Sequence, residues 1–120
     1  MKSAAEHFEE GLELFNAGRF FECHEAWEEV WKRSHGKEKL FCQGLIQAAV
    51  AILHAERGNL RGAVSLCEKA MAKLDLLPAT HENLAVGQLR VAVRNFIAFA
   101  TAHRGQNLPE RPKLLRTASK

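Results

Sequence analysis

Two stretches of the chain carry side chains able to do chemistry. Residues 22–31 hold Glu22, His24, Glu25, Glu28 and Trp31, and residues 43–54 set Gln43, Gln47 and His54 in an otherwise apolar run. His24 and Glu28 are four apart, so on a helix their side chains lie one above the other. An imidazole beside a carboxylate has two chemical uses. The pair can ligate a divalent cation, as Glu and His do on the facing helices of carboxylate-metal bundles. Alternatively, the carboxylate fixes the tautomer of the imidazole and raises its basicity for proton transfer.

The second stretch is the natural partner of the first. A polar group inside an apolar helix must find a hydrogen bond or cost free energy. Gln43, Gln47 and His54 fall within a sector of about 40° on a helical wheel, a polar seam on a helix otherwise built for burial. The expected site is therefore a His/Glu/Gln pocket between the second and third helices, binding a divalent metal ion or a small ligand. His24, Glu28 and His54 would be the metal ligands, with Glu25 a further carboxylate. Gln43 and Gln47 would hydrogen-bond those ligands from behind. No nucleophile elbow, phosphate loop or dinucleotide fingerprint is present, so whether the protein is an enzyme stays open. Metal-assisted hydrolysis is the reaction that asks least of these residues.

Blander readings stand beside these. Glutamates are common on exposed helix faces, and a buried amide-imidazole network can serve only to fix helix register. Trp27 and Trp31 share one apolar arc with Phe20, Cys23 and Val30, which makes them core anchors before ligand platforms. His103 reads as a histidine near a helix C-terminus. His7, His35 and His81 sit near turns or helix starts and read as exposed.

The elements that must position these residues are helical throughout. Ser3 and Glu6 form a capping box that opens a helix reaching about residue 16. After Gly18, a second helix covers about 20–34. A third, about 38–57, is apolar on most sides and should be central. After Gly58 a fourth spans about 60–76, and Thr80 can cap a fifth that runs to about residue 103. The glycines at 18 and 58 each sit between two helices, a weak repeat that suggests two similar hairpins. The fold expected is all-α, a compact bundle of about five helices made of two hairpins and a closing helix. Residues 1–104 would form the bundle and residues 105–120 a basic flexible tail carrying Arg111, Lys113, Arg116 and Lys120.

The two stretches resemble the signatures of a family of small helical proteins known as domain of unknown function 309. Residues 15–31 match a pattern of roughly E-x-H-E-x-x-E-x-x-W. Residues 43–54, followed by Gly58 and Asn59, match the second signature. The resemblance covers about residues 11–77. It implies an all-helical bundle and carries the family pattern onto Glu22, His24, Glu25, Glu28, Trp31, Gln43, Gly44 and His54. It implies no activity.

The bulk properties narrow the function classes. At 120 residues the chain makes one domain, and its net charge of +3 is too mild to argue for nucleic acid. Three cysteines, Cys23, Cys42 and Cys67, make neither a disulfide framework nor a zinc cluster, and a reducing cytoplasm is the simplest setting. The longest apolar stretch is too short for a membrane span, and no apolar N-terminal run reads as a signal peptide. Exposed apolar residues on the first or fifth helix could serve a homo-oligomer or a protein partner. The competing function is a tetratricopeptide-like interaction module whose polar seam is purely structural.

Overall fold

The computed structural model describes residues 1–117. Five helices follow in chain order: α1 (Ala4–Asn16), α2 (Phe20–Lys32), α3 (Gly36–Glu56), α4 (Leu60–Leu74) and α5 (Val86–Ala102). The capping box is present in full. Ser3 Oγ accepts from the Glu6 N–H, and Glu6 accepts from the Ser3 N–H at 2.9 Å. Gly18 and Gly58 both adopt positive φ, 78° and 82°, where a side chain would be strained. Each reverses the chain, and the next helix starts two residues later, at Phe20 and at Leu60. The two-hairpin reading of the sequence is thus the observed arrangement, with α5 closing against α4 and α3.

Packing explains why α3 is central. Its residues Phe41, Cys42, Leu45, Ala48, Ala49, Ala51, Ile52 and Ala55 are all buried, and they leave little of the helix apolar surface in water. Small residues let its partner come close: a Cβ on Gly44 would lie 2.8 Å from Leu74 Cδ2 of α4. The α1/α2 hairpin is held by aromatic rings. Phe15 meets Phe20 edge-on at 5.2 Å and stacks on Trp27 at 5.7 Å. Trp27 is fully buried, and its Nε1–H donates to the Phe8 carbonyl at 3.1 Å. The radius of gyration, 13.6 Å, matches the about 14 Å of a compact chain of this length. No helix among the described residues is long and apolar enough to cross a membrane.

Three expectations need correction. α5 starts at Val86, not after Thr80, and its N-cap Ala85 makes no side-chain cap hydrogen bond. Residues 81–84 instead close a tight turn, with reciprocal backbone bonds between His81 and Leu84 and left-handed φ at Glu82 and Asn83. Arg90 of α5 donates to the carbonyls of Leu74 and Leu77, tying α5 to the end of α4. Trp31 is only half-buried, with Lys39 Nζ 4.1 Å above its ring, so it is no core anchor like Trp27.

The third correction concerns the C-terminal stretch. Residues 105–117 do not hang free as a flexible tail; they lie along the bundle as a strap. Leu114 is 0% exposed, and both its backbone N–H and its carbonyl are held by the Asn16 carboxamide at 2.8 and 3.0 Å. Arg111 pairs with Glu56, and Arg116 with Glu9. The basic residues expected to be mobile are thus partly anchors, while Lys120 lies outside the described residues.

The close approach of α1 to α2 is testable. A Cβ on Gly11 would sit 2.3 Å from the Trp27 ring. Gly11→Ala should therefore destabilise by about 1–3 kcal/mol despite the better helix propensity of alanine. Trp27→Ala should cost about 3–5 kcal/mol. Urea melts of both variants check this, and a Gly11→Ala protein as stable as wild type would contradict the packing.

Candidate functional site

The helix-two residues stand where the helical spacing puts them, but mostly on an outer face. His24 Nε2 lies 3.3 Å from Glu28 Oε1, and the side chains are 30% and 47% exposed. Glu22 is engaged by Arg19, whose guanidinium holds its carboxyl below the usual range. Glu25 is exposed.

The helix-three seam turns toward α4 and its turn. Gln47 accepts from Lys73 Nζ of α4 at 2.8 Å. His54 Nδ1 is paired with the Asn59 carboxamide in the α3/α4 turn at 3.2 Å. Gln43 is half-buried on the same helix. Cys42 Sγ touches the Trp27 carbonyl, which lies one turn from His24. At the α-helical rise, His54 is roughly 18 Å farther along α3 than Cys42. His24, Glu28 and His54 therefore do not converge into one ligand set. Gln47 and His54 find their partners on the hairpin that α3 makes with α4, so neither depends on α2.

A different group does converge. Glu38, His81 and Glu82 each present a donor atom, and these atoms all lie within 4.8 Å of one another. Glu38 comes from the first turn of α3, while His81 and Glu82 come from the tight turn before α5. His81 is not the exposed turn histidine expected: its side chain is 14% exposed, with its ring edge-on to Phe41 at 4.6 Å. His81 Nε2 is buried and only 3.3 Å from Glu38 Oε1, yet that contact is not aligned as a hydrogen bond and leaves the nitrogen without a partner. An unpartnered nitrogen beside two carboxylates is a donor set looking for an acceptor of electron pairs. One imidazole and two carboxylates suit zinc, manganese or iron(II), and three protein ligands leave a coordination position for water or substrate.

Beside this group lies a cavity of about 420 Å³, lined among others by Phe8, Val30, Glu38, Phe41, Glu82 and Arg116. Its volume falls within the range of small-molecule sites. Glu38 and Glu82 stand at its wall, so a ligand inside would reach the same carboxylates.

Sequence reasoning missed this group because Glu38 lies 43 and 44 positions before the other two, and those two lie in a turn mistaken for a helix start. The signal that was available is the run from Pro78 to Asn83, which is rich in turn formers and carries both His81 and Glu82.

Residues 8–66 match the family described as "Domain of unknown function (DUF309)". The chain belongs to this family. The uncharacterized protein YpuF of Bacillus subtilis (strain 168) is 33% identical over 111 residues, covering 87% of this chain and 64% of that protein. An uncharacterized protein of Aquifex aeolicus (strain VF5) is 30% identical over 87 residues, covering 72% of this chain and 26% of the relative. The chain thus spans about a quarter of one curated relative and under two thirds of the other. Within this DUF309 chain the match takes in both sequence signatures and Glu38, whereas His81 and Glu82 lie beyond it.

The thiols are not poised as nucleophiles at neutral pH. Cys23, Cys42 and Cys67 are all buried and unpaired. Burial raises all three, with Cys42 pushed up to about 12. A buried, protonated thiol is a poor nucleophile. In the folded protein at pH 7.5, alkylation should therefore be slow at every cysteine and rapid at all three once denaturant is added. Mass spectrometry of iodoacetamide-treated protein checks this, and fast native labelling of Cys42 would contradict its burial.

Proposed function

We propose that this protein binds a divalent transition-metal ion at Glu38, His81 and Glu82, next to a cavity that holds a small ligand. The observation that carries the reading is the convergence of three donors around a buried imidazole nitrogen that has no other partner. This keeps the pocket chemistry read from the sequence and moves it from α2 and the α3 seam to the opposite end of α3. The bound ion would polarise a ligand oxygen or a water in the open position, the basis of metal-assisted hydrolysis. Three buried thiols, unpaired and unreactive, support a reducing compartment such as the cytoplasm.

The interaction-module reading draws on a second feature. An apolar groove of about 720 Å³ runs between α4 and α5, lined by Val64, Cys67, Met71, Ile97 and Ala98. The compact shape argues against an open solenoid, and the groove alone names no partner.

The test is metal-dependent stability. An ion that binds only the native state adds about 2.7 kcal/mol at a hundredfold excess over its Kd. Wild-type protein purified without an affinity tag should melt several degrees higher with zinc or manganese(II). His81→Ala should abolish that shift, whereas His54→Ala should keep it. A response lost in His54→Ala and retained in His81→Ala would return the site to the helix-three seam. An unchanged wild-type melting temperature with every metal would leave the interaction module in front.

A further inference from the structure

Two of the three donors, His81 and Glu82, sit on a turn whose own His81–Leu84 bonds are supplemented from outside. Glu82 and Asn83 adopt φ of 52° and 61°, the left-handed region that non-glycine residues rarely occupy without outside support. That support comes from the strap. The Ala85 N–H donates to the Leu115 carbonyl at 2.7 Å, and the Thr117 N–H donates to the Asn83 carbonyl at 2.8 Å. These two bonds set Leu84 opposite Arg116 as an antiparallel bridge pair. The strap is anchored in turn on α1, by the Asn16 clamp on Leu114 and by Arg116 against Glu9. Leu84 and Leu114, the neighbours of these bonds, are both buried. Glu38, by contrast, stands on α3 and needs no such help.

We infer that docking of residues 114–117 and binding of the cation are one coupled equilibrium, the strap acting as the positioning element of the metal site. This rests on the cation reading above. With the strap docked, His81 and Glu82 face Glu38 and the ion binds. With the strap released, the turn loses its two strap hydrogen bonds and two of the three donors lose part of what fixes their place. Linkage makes the effect reciprocal: an ion held by Glu38 and the turn favours the docked strap by the same factor. Arg116 lines the cavity as well as anchoring the strap, so release also removes part of the cavity wall.

The experiment uses the full chain with zinc and manganese(II) as probes. Amide hydrogen exchange is followed at residues 83–85 and 114–117, with and without the ion, in wild type, Asn16→Ala and His81→Ala. Asn16 touches neither the turn nor a donor, so its loss acts only through the strap. The ion is expected to slow exchange at the Ala85 and Thr117 amides in wild type. Asn16→Ala should speed exchange of the strap and raise the metal Kd at least tenfold. His81→Ala should lose the ion while its strap amides exchange as in the metal-free wild type. An Asn16→Ala protein with a faster strap and an unaltered Kd would overturn the coupling while leaving the cation site in place. A wild type that binds neither ion would overturn both. Should Asn16→Ala fail to fold by circular dichroism, Leu114→Ala, which loosens the strap at a residue that does not line the cavity, is judged by the same two readouts.

Discussion

The Trp27 indole occupies the volume that a side chain on residue 11 would need, and the N-terminal half is arranged around that fact. Because Gly11 offers no Cβ, α1 and α2 approach closely enough for Phe8 and Phe15 to stack on the indole and for the Phe8 carbonyl to accept its N–H. On the other side, Cys42 meets the Trp27 backbone carbonyl and brings α3 into contact with the hairpin. Phe41 follows, tilted against Phe8 at 6.3 Å. Glu38 stands about one turn before Phe41, so its place at the cavity wall descends from the same packing. A buried aromatic pair contributes through area and ring geometry together. Here it also sets where a carboxylate stands.

What could be read from the sequence was what short-range rules govern. Ser3 and Glu6 satisfy each other three residues apart, Gly18 and Gly58 act through their own φ, and the α3 pattern reflects the burial of one helix. The five helices and their hairpins follow from these. The expected start of the last helix failed because Thr80 had a competitor: a turn at 81–84 braced by the strap, which is not near in sequence. The strap itself was unreadable for the same reason. Asn16 and Leu114 are 98 positions apart, and no composition rule pairs them.

The site shows the same division. The i, i+4 pairing of His24 and Glu28 came from helix geometry and is present. The step from polar seam to shared pocket assumed that the partners of α3 lie on α2. Lys73 and Asn59 answer Gln47 and His54 instead, each on the hairpin that α3 makes with α4. His81 looked exposed because turns usually are. The edge of Phe41 and the carboxylate of Glu38 cover it, and both are brought there by tertiary packing.

The Asn16 clamp has a consequence for the order of events in synthesis. Contacts between distant residues form late, since the chain between them must first be brought to heel. Chains are made from the N-terminus, so both helical hairpins can pair while residue 114 is still unmade. Such a nascent chain would have the aromatic core and Glu38 in position, yet the turn with His81 and Glu82 would still lack its brace. The Arg116 part of the pocket wall and the brace arrive together, once residues 114–117 have been made.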